Sequence, residues 1–274
     1  MPATAILFPG QGSHTDDMRE QVAQVRPDLL DKLTATLGED PFPRVNDGTN
    51  FAQPAIFCAS LAGWEALGKP HGDFMAGHSL GELAALVAAG ALSEQDGLEL
   101  VVLRGALMAR GEEGGMLALL GRGASENAEA LAEAHGLTVA NDNSPQQVVL
   151  SGPRENLAPA EQAAREIGLK AMPLDVTGAF HSPLMTPALA PFEEALRRKH
   201  FSTPRPPVMS AVTAEPFDDI PLRLAQALTH PVRWRETLLA LKDLGVEKFI
   251  EVGPGKVLTG LAKRTLQDVE LVHA

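Results

Sequence analysis

The sequence predicts an α/β fold in two units. Short apolar runs alternate with amphipathic stretches of helix length along most of the chain, the pattern of a mostly parallel sheet covered by helices. Between Gly114 and about Thr177 the order becomes β-α-β-β-α-β, the split-βαβ or ferredoxin-like arrangement. Apolar residues make up 45% of the 274 positions, enough for one large core and one small one. The expected division is a discontinuous large α/β unit, residues 1–113 and 178–274, and an inserted small ferredoxin-like unit, residues 114–177.

Residues 3–8, Ala-Thr-Ala-Ile-Leu-Phe, read as a buried first strand. The strand runs into Pro9-Gly10-Gln11-Gly12-Ser13-His14. Glycines on both sides of Gln11 expose backbone at a strand end, where open parallel sheets bind ligands; an ordinary βα turn reads the same way. Residues 16–38 are mostly helical and 41–50 form a loop rich in turn residues. A helix over 53–67 is expected to enter through Pro54, a favoured first-turn residue. Residues 68–72 break it.

The next stretch is Phe74-Met75-Ala76 followed by Gly77-His78-Ser79-Leu80-Gly81-Glu82 and an alanine-rich run to Ala91. This reads as strand, sharp turn, helix. Glycines two positions either side of Ser79 let the backbone turn without a Cβ clash. The G-x-S-x-G pattern in that context is a nucleophile elbow, which lifts Ser79 Oγ onto a helix N-terminus. With the elbow at its centre, the large unit is expected to be α/β-hydrolase-like. A glycine turn with a capping serine is the plainer reading.

Ser93 is the expected N-cap of a helix over 94–110. Its inner face runs through Leu100, Val101, Arg104, Leu107 and Met108, so Arg104 sits on an apolar stripe. A buried guanidinium needs a partner, and no acid lies three or four positions away on that stripe. Either Arg104 pairs with a distant carboxylate or it awaits an acidic ligand. A hinge-like cluster at 112–115 leads into the small unit. There, strands are expected at 116–120, 137–140, 147–151 and 169–176, with helices at 125–135 and 154–167. Pro159 marks a late start or a kink, and Asn141-Asp142-Asn143-Ser144-Pro145 an internal turn.

Ala179-Phe180-His181-Ser182 follows the small unit directly and so lies at the junction, where ligand clefts are common. His181 is a candidate general base. Beyond it come a strand at 207–212, helices at 222–229 and 232–244, and a strand at 248–252 ending in Gly253-Pro254-Gly255. A last helix at 256–264 and a strand at 269–272 complete the chain.

The net charge of −12 argues against general nucleic-acid or anionic-membrane binding. The single cysteine, Cys58, excludes an internal disulfide and fits a reducing, cytoplasmic setting; its apolar neighbours make it a core residue. No stretch approaches the roughly 20 apolar residues of a membrane span, and the N-terminus lacks signal-peptide character. The histidines show no metal-ligand spacing.

Several separated stretches now point one way: Phe8-Pro9-Gly10-Gln11-Gly12-Ser13, Gly77-His78-Ser79-Leu80-Gly81-Glu82, Arg104, Ala179-Phe180-His181-Ser182, Pro231-Val232-Arg233-Trp234, and Glu251-Val252-Gly253-Pro254-Gly255-Lys256-Val257-Leu258. This set resembles malonyl-CoA:acyl carrier protein transacylases and the acyltransferase domains of polyketide synthases, over nearly the whole chain. The resemblance implies Ser79 as the acylated nucleophile and His181 as its base. It implies an oxyanion hole from the backbone N–H groups of Gln11 and Leu80. It makes Arg104 the clamp for the malonyl carboxylate, with His78 and Phe180 also at the substrate. A backbone carbonyl, at Ala227 by counting back from Trp234, would orient the histidine. Malonyl-CoA and an acyl carrier protein are the implied partners, and no metal or redox cofactor is implied. His14 departs from the family's usual glutamine. Alternatives are a stand-alone polyketide acyltransferase, a malonate decarboxylase malonyl-transfer subunit, a serine thioesterase or hydrolase, and a non-catalytic carrier-binding module. Two basic patches, Arg197-Arg198-Lys199 with Arg205, and Lys263-Arg264, are candidates for docking the carrier.

Overall fold

The computed structural model describes residues 2–111, 114–176 and 178–273. The expected hinge residues Glu112 and Glu113, and the expected boundary residue Thr177, lie outside them. The chain opens with β1 (Ala3–Phe8), α1 (Met18–Val25), α2 (Pro27–Leu37) and α3 (Thr49–Ala66). The elbow segment follows as β2 (Phe74–Gly77) and α4 (Gly81–Ala88), then α5 (Glu94–Ala109). Next come β3 (Gly114–Leu120), α6 (Ala124–Ala134), β4 (Thr138–Ser144), β5 (Gln147–Pro153), α7 (Arg154–Glu166) and β6 (Lys170–Pro173). The remainder is α8 (Thr186–Arg197), β7 (Val208–Ser210), β8 (Glu215–Pro216), α9 (Ile220–Gln226), α10 (Trp234–Asp243), β9 (Val246–Glu251), α11 (Val257–Thr265) and β10 (Glu270–His273).

Two sheets organise these elements. One has the order β10-β9-β1-β2-β7-β8 and is parallel except for the short edge strand β8. Both its faces are buried, as a parallel sheet requires. Ile6, Phe8 and Met75 pack on one side with α1 to α5; Ala5, Leu7, Ala76 and Phe249 pack on the other with α10 and α11. The second sheet, β4-β5-β3-β6, is antiparallel throughout. Alternation along β3 gives it two faces. Leu117 and Leu119 join a core under α6 and α7, while Met116 and Ala118 join the large core. The small sheet thus turns one face toward the elbow.

The structure corrects three readings. α3 begins at Thr49, so Pro54 lies inside it and not at its first turn. Burial of Phe51, Ala52, Ala55 and Ile56 outweighs the hydrogen bond that Pro54 denies the Asn50 carbonyl. The expected turn over Asn141–Pro145 is mostly strand: β4 continues to Ser144, leaving Pro145-Gln146 as the turn. Asn and Asp favour turns because they bond their own backbone. Here tertiary partners take those side chains instead: Asp142 forms a bidentate pair with Arg235, and Asn143 contacts His78. α8, absent from the sequence reading, is hidden by Pro187 and Pro191, yet its buried Ala188, Phe192 and Leu196 recur at i, i+4, i+8.

Candidate active site

The elbow exists because two glycines allow it. A Cβ on Gly77 would lie 2.0 Å from the Gly81 carbonyl carbon, and one on Gly81 would lie 2.2 Å from the Phe8 carbonyl oxygen. β2 can therefore run straight into α4 beside the end of β1. Ser79 takes φ 55° at the apex, and His181 takes φ 57° in its own turn. Both are in the left-handed region, costly for non-glycine residues and held only where the surroundings dictate it. Ser182 Oγ–H donates to the Ala179 carbonyl at 2.6 Å and fixes the second turn.

These two turns bring Ser79 Oγ within 2.9 Å of His181 Nε2. His181 Nδ1 lies 2.7 Å from the Ala227 carbonyl oxygen. That carbonyl sits at the C-cap of α9, where it has no intrahelical donor. A carbonyl only accepts, so Nδ1 carries the proton and Nε2 is free to accept from Ser79. Burial, and then the nearby Arg104 charge, push His181 down to about 3 from its ordinary value. The imidazole is therefore neutral around pH 7. A serine hydroxyl on a neutral, oriented imidazole is the arrangement that general-base activation needs.

Arg104 is 3% exposed, and burial lowers it to about 10. It stays a cation at neutral pH. Its Nη1–H donates to Gln53 Oε1 at 2.7 Å and its Nη2–H to Ser79 Oγ at 3.1 Å. The distant carboxylate that the sequence left open is Glu82, which acts on Arg104 only through space, with no ion pair between them among the described residues. Glu82 is buried in the first turn of α4, accepts from the Ala211 N–H at 2.8 Å, and is raised by burial to about 7. Guanidinium donors thus face the serine with no carboxylate against them.

The remaining sequence candidates share one cleft of about 600 Å³ between the two sheets, lined by Gln11, His78, Ser79, Leu80, Arg104, Phe180 and His181 among others. Met116, Ala118 and Val149 of the small sheet form the facing wall. Leu80 is the N-cap of α4, where the first helix N–H groups point outward. Gln11 follows Gly10, which a Cβ would drive into the His78 carbonyl at 2.6 Å. His78 does not face the cleft as a free donor: its Nε2 is 2.7 Å from Asn143 Oδ1 and its ring stands edge-on to Trp234. Ala227 contributes backbone from outside the lining. Sequence reasoning missed Thr49, Gln53, Glu82 and Asn143. Gln53 carried a signal of the same kind as Arg104, a polar residue inside an apolar helical run.

Residues 16–273 match the acyl transferase domain family. The polyketide biosynthesis malonyl CoA-acyl carrier protein transacylase BaeC of Bacillus velezensis is 40% identical, over 96% of this chain and 97% of its own length. The chain belongs to the malonyl-CoA:acyl carrier protein transacylase family. The similarity to the polyketide biosynthesis protein ThaF of Burkholderia thailandensis, 39% identical over 96% of this chain, spans only 24% of that relative. Among solved structures, FabD from Acinetobacter baumannii superposes with a TM-score of 0.91 at 34% identity, covering 99% of this chain and 94% of that one. A type II polyketide malonyl-transacylase in complex with its acyl carrier protein superposes with a TM-score of 0.89 at 32% identity, covering 99% and 96%. These transacylases share with the chain its mixed α/β architecture of a mostly parallel sheet and a separate antiparallel one.

Proposed function

We propose that the chain moves a malonyl group from malonyl-CoA to the phosphopantetheine thiol of an acyl carrier protein through a malonyl ester on Ser79. The carrying observation is the buried Arg104 guanidinium, 3.1 Å from a serine hydroxyl that is itself on a neutral histidine. The malonyl carboxylate is one methylene beyond the acyl carbon. A cation beside the reacting hydroxyl therefore meets it when the carbonyl lies over Ser79. Paired N–H···O bonds suit arginine to that planar group.

In the first half-reaction Ser79 Oγ attacks the thioester carbonyl as His181 Nε2 takes its proton. The oxyanion is held by the N–H groups of Gln11 and Leu80. The C–S bond breaks, and coenzyme A leaves with the proton from His181. In the second half, the carrier thiol gives its proton to His181 and attacks the serine ester, and Ser79 is regenerated. No metal or redox cofactor takes part in these steps. Phe180, ring against the cleft beside the base, crowds an α-methyl; one methyl discriminates by about 1–3 kcal/mol. The reading includes an α/β-hydrolase-like large unit over 1–113 and 178–274, a ferredoxin-like insertion over 114–177 and a cytoplasmic setting. No helix among the described residues is long and apolar enough to cross a membrane.

Intact-mass analysis after mixing with malonyl-CoA tests the proposal. A malonyl adduct on Ser79 that a holo carrier protein discharges is expected; hydrolysis of the adduct without transfer would make the chain a thioesterase. The acid limb of the pH profile follows from the site. His181 works as a base, and its folded value is depressed, so the active neutral form persists well below the ordinary histidine range. kcat/KM for malonyl-CoA, which reports the free enzyme, should stay level from pH 8 to about 5. A fall centred near 6.5 would mean that His181 is not held as the structure holds it.

For the carrier, the two basic patches differ. Arg197 and Arg198 are paired with Glu194, and Lys199 is taken by Asp96 and Glu99. Lys263 and Arg264 lie exposed on α11, the helix whose Val257, Leu258 and Leu261 line the cleft. Carriers of this class are acidic. Reversing both charges, Lys263→Glu with Arg264→Glu, should raise KM for the carrier several-fold, about 1 kcal/mol, and spare KM for malonyl-CoA. Unchanged carrier kinetics would move docking elsewhere.

A further inference from the structure

We propose that Thr49 and Gln53 are positioning residues that couple the Arg104 carboxylate clamp to the Gln11 loop. The proposal rests on the reading of Arg104 as the malonyl clamp. Four side chains form one directed chain of hydrogen bonds. Arg104 Nη1–H donates to Gln53 Oε1 at 2.7 Å. Gln53 Nε2–H donates to Thr49 Oγ1 at 2.8 Å. Thr49 Oγ1–H donates to Gln11 Oε1 at 2.8 Å.

The direction is forced. An arginine has donors only, so the Gln53 amide must turn its oxygen to Arg104 and its nitrogen to Thr49. The Thr49 hydroxyl, having accepted, is left to donate onward. Gln11 then presents its oxygen to Thr49. Thr49 and Gln53 are 3% and 1% exposed, so water does not supply alternatives. The α3 first turn that carries Thr49 is seated against α5 one residue past Arg104: a Cβ on Gly105 would lie 3.0 Å from Asn50 Cα and 3.1 Å from the Thr49 carbonyl. At the far end, Gln11 belongs to a loop closed by Ser13 Oγ–H donating to the Gly10 carbonyl at 2.8 Å. That loop supplies the Gln11 backbone N–H to the cleft.

Hydrogen bonds in such a chain polarise one another. A carboxylate seated on the guanidinium fixes the orientation of Arg104, and the chain carries that constraint through Gln53 and Thr49 to the Gln11 loop. A substrate without a carboxylate does not engage it. Thr49 and Gln53 therefore raise turnover for carboxylated acyl groups, beyond what Arg104 does for their binding.

The test compares kcat and KM for malonyl-CoA and acetyl-CoA in wild type, Thr49→Val and Thr49→Ser. Valine keeps the shape and removes both hydrogen bonds. Malonyl kcat should fall about tenfold with KM changed by less than about twofold, and acetyl kcat should change by less than about twofold. Serine should restore malonyl turnover. In an Arg104→Ala background, Thr49→Val should add nothing. Equal losses for both thioesters, no loss, or losses that multiply with Arg104→Ala would overturn the coupling. Should the valine variant not fold, Thr49→Ala removes the same hydroxyl with less bulk and must give the same malonyl-selective fall. A wild type that never forms a malonyl adduct would instead sink the underlying function.

Discussion

Replacing Ser79 with alanine should abolish both the malonyl adduct and transfer while leaving thermal unfolding unchanged. Oγ is the atom that forms the ester, and no other hydroxyl shares its contacts with His181 and Arg104 among the described residues. The backbone at 79 already bears the left-handed φ of 55°, and alanine meets the same steric cost there as serine. Stability should therefore hold. His181→Ala should slow acylation by about 10²–10⁴-fold, the usual worth of a positioned general base. The adduct should still appear slowly, because the Gln11 and Leu80 N–H groups and Arg104 remain. Adduct on the Ser79→Ala protein would remove Ser79 from the mechanism, and near-normal acylation without His181 would assign the base elsewhere.

Arg104→Ala should cost malonyl transfer at least about tenfold in kcat/KM, since charge-assisted hydrogen bonds contribute roughly 1.5–3 kcal/mol. Acetyl transfer should fall less or rise, because a thioester-linked acetyl group has no free carboxylate to seat and the site loses a cation it would not use. Preference between the two thioesters then flattens or inverts. Arg104→Lys should recover part of the loss, as an ammonium cannot make the paired contact. Arg104 is also the second cause of the depressed His181 value, after burial. Its removal should move the acid limb of the profile upward in pH. Equal losses for malonyl and acetyl transfer with an unmoved acid limb would make Arg104 a structural residue.

Much of this site is legible in sequence because backbone demands are written in residue type. Gly77 and Gly81 announce a turn that no other residue could make, and Arg104 announces itself by sitting where a charge is expensive. Strands β3 and β5 of the small unit show because short apolar runs, at 116–120 and 148–150, are bounded by glycine, proline and polar residues. Harder to read are residues whose role depends on what arrives from elsewhere in the chain. Asn141, Asp142 and Asn143 have turn chemistry until His78, Val232 and Arg235 meet them, when they become strand. Gln53 and Thr49 show nothing locally of the arginine fifty-one positions from Gln53 that fixes their orientation. Pro54 and Pro191 carry a local veto on helix that core packing overrides, while Pro187 sits in the first turn of α8, where proline fits.

The order of the large sheet has a consequence for how the molecule forms. β1, made long before β9, pairs on one side with β2 and on the other with β9, at Val246–Glu251. Until β9 leaves the ribosome, one edge of β1 is an open row of amide groups. The antiparallel sheet is different: its four strands find all their partners between Gly114 and Pro173. It can close during synthesis, while the sheet that carries the elbow waits for the C-terminal strands. Loop-closure entropy over such separations makes the late pairing slow. Over that interval the nascent chain holds a finished wall of the cleft opposite an unfinished one, with an aggregation-prone strand edge beside the future Gln11 loop.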